Sequence, residues 1–173
     1  MKITSVDVIK VLDGKPSVPG TPWNPICVRI NTDEGISGFG EAGLCYGNAN
    51  HAAFGCCVDF GELIIGMDPM RIQAIWDKLH RSTFWGMGGG GVIFSAMSAI
   101  DIACWDIKGK ALGVPVYQLL GGKTNDKLRA YASQIQFDWG KECHNLSYPE
   151  EYAEAARKAM AEGYTAVKVD PVG

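Results

Sequence analysis

Apolar and polar positions alternate through "MKITSVDVIKV", the period of a half-buried strand, and predict a strand over residues 2–12. After the Pro- and Gly-rich stretch "DGKPSVPGTPWNP", the runs "ICVRINTD" and "ISGFGEAGL" predict two more strands, joined by a turn at Glu34–Gly35. Consecutive strands with a tight turn predict an antiparallel meander. The period then lengthens. Residues from about 50 to 66 predict a weakly patterned helix. In "DPMRIQAIWDKLHRSTFW" the apolar residues Met70, Ile72, Ala74, Ile75, Trp76 and Leu79 recur at helical spacing. Asp68 followed by Pro69 predicts the start of that helix, as N-cap and first position. "VIFSAMSAIDIACWDIKGKAL", from Val92 to Leu112, is apolar almost all round and predicts a buried helix that stops at Gly113.

The pattern changes after "LLGGK" at Leu119–Lys123. "KLRAYASQI" predicts a strand. "SYPEEYAEAARKAMAEG" predicts a helix with Ser147 as N-cap, Pro149 in the first turn and Glu150, Glu151 and Glu154 near the positive end of its dipole. Gly163 ends it, and "YTAVKVDPVG" predicts another strand. Strand, helix, strand is one βα unit and the start of the next. The fold class is therefore an α+β piece followed by a β/α piece, divided near residue 122.

Composition narrows the partners. The chain has 173 residues, 47% hydrophobic and 20% charged, with a net charge of −3. That is ordinary globular composition. The charge balance offers no basic face for nucleic acid or an anionic membrane. Ser95, Ser98, Asp101 and Asp106 interrupt the longest apolar run, so no segment predicts a membrane span. The N-terminus lacks a signal peptide's apolar block. The cysteines Cys27, Cys45, Cys56, Cys57, Cys104 and Cys143 are irregularly spaced, with no C-x-x-C. They read as reduced thiols in a cytoplasmic protein.

Gly86, Gly88 and Gly91 in "FWGMGGGGV" satisfy G-x-G-x-x-G, with Asp106 twenty residues past the first. A dinucleotide fingerprint needs a strand before its glycines and an acidic residue ending a second strand. Here a helix pattern precedes Gly86, and Asp106 lies inside the next predicted helix. The glycines are expected to form a surface loop between helices that holds no phosphate.

"SAIDIACWDIKGKALGVPVYQLLGG" (residues 98–122), "GFGEA" (38–42) and "GYTAVKVD" (163–170) after "RAYAS" resemble the enolase superfamily, in its mandelate racemase and muconate lactonizing branch. The resemblance runs the length of the chain in order. It implies an α+β capping domain over residues 1–122 and the first strands and helix of a TIM-like (β/α) barrel over 123–173, with the barrel incomplete. It also implies abstraction of the proton alpha to a carboxylate, through an enolate held by Mg2+. Such a proton is very weakly acidic, so the developing charge needs a divalent cation and a cationic side chain. Superfamily sites use a Lys or His base with Mg2+, and barrel enzymes place these groups at the C-terminal ends of strands.

On this resemblance Lys168, ending "YTAVKVD", is the catalytic candidate. Strand alternation puts Lys168 and Asp170 on one side and Val169 on the other. The family pattern here is often K-x-K, with the second Lys as base. Asp170 occupies that position, a departure from the racemase pattern. Lys168 is then expected to act electrostatically on the substrate carboxylate or enolate. Asp170 would pair with it, orient it or touch substrate hydroxyls, and the base would come from another strand. Trp23, Asn24 and Tyr46, in two loops that would close over the barrel mouth, are the substrate-binding candidates. Trp139, Lys141 and His144 are weaker ones. His51 and His80 read as surface or cap residues. Asp101, Asp106, Lys108 and Lys110 are expected to pair across the domain junction. No metal ligand is assigned in the chain. A (β/α) barrel takes about 250 residues, so the carboxylate ligands are expected on strands outside it.

The implied reaction is dehydration of a sugar acid to a 2-keto-3-deoxy acid, with Mg2+ as cofactor, the acid as small-molecule partner, and a homo-oligomer as the assembly. Racemisation, epimerisation or cycloisomerisation is the alternative within the superfamily. A non-catalytic assembly module is the alternative outside it.

Overall fold

The computed structural model describes residues 1–11, 24–43, 50–140 and 144–170, apart from the side chain of Trp85. The chain divides into two compact units. Among the described residues the first comprises 1–11 and Asn24–Lys123, and the second 124–170.

The first unit is built on a three-stranded antiparallel sheet in the order β1 (Ile3–Lys10), β2 (Ile26–Thr32) and β3 (Ser37–Glu41). Val8 sits opposite Val28, and Val28 opposite Gly40. The turn between β2 and β3 needs a left-handed residue, and Gly35 supplies it with φ 76°. Alternation along β2 buries Ile26, Val28 and Ile30 on one face. Burying such a side chain contributes about 1.5–3 kcal/mol each. The opposite face is polar: Arg29 pairs with Asp7 at 2.6 Å, and Asn31 donates to Ser5 at 2.9 Å.

Helices α1 (Asn50–Leu63) and α4 (Gly91–Leu112) cover the apolar face. Met97, Ile100, Cys104 and Ile107 of α4 join the strand residues in one core with Phe60 and Ile64. Gly113 closes α4 in the left-handed conformation, with Val114 N–H donated to Gly109 O at 3.0 Å.

Helix α2 spans Ile72–Ser82, three residues later than the start predicted at Pro69. Asp68 is the reason. Its carboxylate accepts from Met70 N–H at 3.0 Å and its carbonyl from Arg71 N–H at 3.1 Å, closing a turn before the helix begins. The glycine stretch also differs from a plain loop. It opens with a single helical turn, α3 (Phe84–Gly88), held where Thr83 Oγ1 accepts Gly86 N–H at 2.9 Å. Helix α5 (Val116–Leu119) follows α4.

Of the four charged residues of α4 singled out from the sequence, Asp106 and Lys110 pair with each other within this unit. Lys110 Nζ lies 2.7 Å from Asp106 Oδ2 and donates to Ser37 O at 2.8 Å. Asp106 also accepts Phe39 N–H at 3.0 Å. The pair thus satisfies backbone groups of the edge strand β3, which would otherwise face water or another strand. Lys108 lies over the Trp105 ring, 5.4 Å from its centre.

In the second unit the predicted strand over "KLRAYASQI" is mostly unpaired extended chain. It meets "YTAVKVD" in one parallel bridge, Ala132 to Val167. Helix α6 (Pro149–Ala161) crosses between them. Its N-cap is Tyr148, not Ser147. Glu151 reaches back from the first turn, and its carboxylate accepts the N–H of Ser147 at 2.8 Å and of Tyr148 at 2.9 Å. Ala132, Ile135, Leu146, Ala155 and Ala159 form this unit's core, flanked by Trp139, Tyr152 and Tyr164.

Candidate active-site strand end

Lys168 and Asp170 lie in the extended segment that follows α6, and both side chains are exposed. The backbone around them is held by the first extended segment. Ala132 N–H donates to Ala166 O at 2.9 Å, and Lys168 N–H to Ala132 O at 2.7 Å. A regular parallel ladder would continue through Gln134, taking its N–H to Lys168 O and its carbonyl to Asp170 N–H. It does not. Gln134 is left-handed, at φ 64°, and Ile135 N–H takes Lys168 O instead at 3.2 Å. Asp170 N–H donates at 3.3 Å to the side-chain oxygen of Gln136.

A second left-handed residue, Asp138 at φ 66°, closes the one-turn 3₁₀ helix Ile135–Phe137. Such a conformation is costly for any residue but glycine and persists only where neighbours enforce it. Lys158 of α6 does so, with Nζ 3.1 Å from Asp138 Oδ1. The Trp139 backbone N–H and the Lys158 ammonium hold the Asp138 carboxyl below the usual carboxylate range. Trp139 donates its indole N–H to Glu162 at 3.0 Å and packs edge-on against Tyr164. It is therefore anchored to its own unit. His144 N–H returns to Phe137 O at 3.2 Å, and Leu146 N–H to Gln136 O at 2.9 Å. Neither Gln134 nor Asp138 carries a sequence signal, because positive φ is announced by glycine and both are other residues.

Of the substrate-loop candidates, Asn24 is half-buried, and its backbone carbonyl accepts the Asn50 side-chain N–H at 2.6 Å. Trp23, Tyr46 and Lys141 lie outside the described residues. His51 is exposed on α1, and His80 of α2 lies parallel to the Phe94 ring, 6.3 Å between centres. The glycine stretch follows helix α2 rather than a strand, so the dinucleotide geometry is not formed. A groove of about 640 Å³ between α2 and α4, lined by Arg71, Asp77, Asp101, Trp105 and Lys108, contains none of the predicted site residues. Burial there pushes the Asp101 carboxyl up. Among the described residues no three His, Cys, Asp or Glu side chains converge to hold a metal ion. No helix among them is long and apolar enough to cross a membrane.

The family of mandelate racemase / muconate lactonizing enzyme N-terminal domains matches residues 23–121, more than half of the chain. The chain belongs to this family. A D-galactonate dehydratase of Pectobacterium atrosepticum is 49% identical over 132 residues, which are 76% of this chain and 31% of that protein. A solved member of the enolase superfamily from Salmonella Typhimurium is 56% identical, with a TM-score of 0.89 over 98% of this chain and 42% of that one. An enolase from Pantoea ananatis, solved with bound D-gluconate and Mg, is 32% identical, with a TM-score of 0.76 over 98% of this chain and 36% of that one. The chain spans less than half the length of these relatives. The antiparallel sheet with its covering helices is the family's capping domain, and both the fold class and the superfamily expected from the sequence hold.

Proposed function

We propose that the complete protein to which this chain belongs is a dehydratase of the enolase superfamily, acting on a sugar acid. The base removes the proton from C2, the hydroxyl leaves C3 as water, and the resulting enol tautomerises to the 2-keto-3-deoxy acid. The observation that carries this reading is Lys168-x-Asp170 at the strand end, in a chain of this family whose relatives include D-galactonate dehydratases. A racemase needs a second base on the opposite face of the same carbon, and K-x-K would supply one. Asp170 in its place suits loss of water better than inversion.

Residues 1–122 serve as the capping domain and 123–173 as the start of the barrel. Lys168 keeps its ammonium beside the substrate carboxylate, where it opposes the charge that grows on the enolate. Asp170 holds Lys168 in place or takes a hydrogen bond from a substrate hydroxyl. Trp23, Asn24 and Tyr46 contribute to substrate binding from the cap. Mg2+, when bound, would supply Lewis-acid stabilisation of the developing negative charge. Its carboxylate ligands are assigned, as the family resemblance implies, to later barrel strands of the complete protein. The protein works in the cytoplasm as a homo-oligomer.

The test is turnover of a panel of sugar acids by the full-length protein, with and without added Mg2+. Mg2+-dependent formation of a 2-keto-3-deoxy acid is expected. An isomerised product with no loss of water would put the racemase reading in its place. A well-folded protein inactive on every acid would leave the non-catalytic module.

A further inference from the structure

We infer that Gln136 is a positioning residue for Lys168 and Asp170: its side-chain amide replaces the backbone acceptor that the left-handed Gln134 withdraws from the strand end. The inference rests on the reading that Lys168 and Asp170 act on the substrate.

The ladder between the two extended segments has one regular step, at Ala132, which fixes Lys168 N–H and Ala166 O. At the next step Gln134 leaves the ladder at φ 64°. A gap at this point would free the backbone on both sides of Lys168-x-Asp170. The gap is filled twice. Ile135 N–H closes on Lys168 O at 3.2 Å, and Gln136 Oε1 accepts Asp170 N–H at 3.3 Å. The arrangement resembles a β-bulge, in which an extra residue on one strand re-aims the side chains beyond it, and bulges gather beside active sites for that reason.

Gln136 does a second thing. Its backbone carbonyl accepts Leu146 N–H at 2.9 Å, so the segment that leads into α6 is tied to the same residue. Leu146 in turn packs in the unit's core with Ile135 and Ala155. The Asp138–Lys158 pair holds the far end of the turn to α6. The Gln136 side chain thus extends from a segment fixed at both ends, which lets its amide hold one position. An acceptor is all that the role demands. Glutamate has it at the same reach, and methionine has the reach without it.

The experiment uses Gln136→Met and Gln136→Glu in the full-length protein. Three quantities are read: kcat and KM on the acid turned over by the wild type, the melting temperature, and hydrogen exchange of the peptide containing Asp170. Displacement of a catalytic group by about 1 Å commonly costs about 10²-fold in rate. Gln136→Met is expected to lower kcat by about that factor with KM within about twofold, to speed exchange at Asp170, and to leave the melting temperature near wild type. Gln136→Glu is expected to restore most of kcat and the slow exchange. Wild-type kcat in Gln136→Met, in a protein that Lys168→Met inactivates, would overturn the inference while leaving the dehydratase reading intact. If the wild type turns over no acid, that reading fails, and exchange decides the rest: unchanged exchange at Asp170 in Gln136→Met overturns the positioning role, and faster exchange reversed by Gln136→Glu upholds it.

Discussion

Gly40 of the edge strand β3 lies directly against the carbonyl of Ala99 on α4. A Cβ built on Gly40 would fall under 3.0 Å from Ala99 O, and one on Gly38 would do the same at Ala103 O. The "GFGEA" stretch therefore lets the long helix approach the sheet one turn at a time, glycine against alanine. The helix–sheet distance sets where the rest of α4 sits, including the Asp106–Lys110 pair on the strand's outer edge.

Gly40→Ala should destabilise the protein by about 1–3 kcal/mol, the usual cost of forcing an extra methyl into a packed core. The obstacle is backbone, which cannot rotate away. Gly35→Ala also destabilises, but through its left-handed φ and not through a clash, since nothing lies within 4 Å of a Cβ there. Pairing Gly40→Ala with Ala99→Gly should recover little, because the Ala99 carbonyl remains. Urea unfolding of the full-length variants measures all three. A Gly40→Ala protein as stable as wild type would mean that the helix can move away freely.

Lys168→Met in the full-length protein should abolish turnover and leave the fold intact. Loss of one interaction made mainly in the transition state costs about 10²–10³ in rate, and Met keeps most of the stem's apolar contact. Asp170→Asn should cost less if Asp170 orients Lys168, because an amide still accepts a hydrogen bond. It should cost as much if Asp170 exchanges a proton, which an amide cannot do. The kcat/KM of both variants, with circular dichroism as folding control, separates the two roles.

Asp138 has a depressed folded-state pKa, through the Trp139 N–H and then Lys158. The stability it contributes is present above the unfolded value of about 4 and is lost as pH falls through the lower folded value. Asp138→Asn should therefore reduce the pH dependence of stability on the acid side and lower stability near neutrality. The side chain is largely screened from solvent while Lys158 is not, so the change is modest. Thermal melts of wild type and variant between pH 3 and 7 give the difference, and parallel curves across that range would contradict the assignment.

Cys104 is buried in the core of the first unit, and burial pushes its thiol up to about 12. Thiolate is the reactive form, so Cys104 should resist alkylation at pH 8 until the protein unfolds. Mass spectrometry of iodoacetamide-treated native and urea-unfolded protein should show Cys104 modified only in the second. Modification in native buffer would show that the core opens locally.

The sequence by itself determined the kinds and order of the main elements of the first unit, the helix of the second, and the family. Period-two alternation in β1 and β2, the all-round apolar run of α4 and the glycine that ends it are local properties, and each survived into the structure. The absence of a strand before Gly86 was equally local, and it was enough to set aside the dinucleotide motif. Tertiary structure decided what depends on partners far along the chain. The start of α2 moved because the Asp68 carboxylate found a nearer N–H. Asp106 and Lys110 of α4 turned to the β3 edge because backbone groups of Phe39 and Ser37 wait there, some 67 residues away between Phe39 and Asp106. The strand end at Lys168 is shaped by Gln134 and Gln136, two glutamines whose letters announce neither a left-handed backbone nor a substitute for it. A hydrophobic period records which face an element buries, but a single polar side chain takes its partner from geometry that forms only when the elements meet.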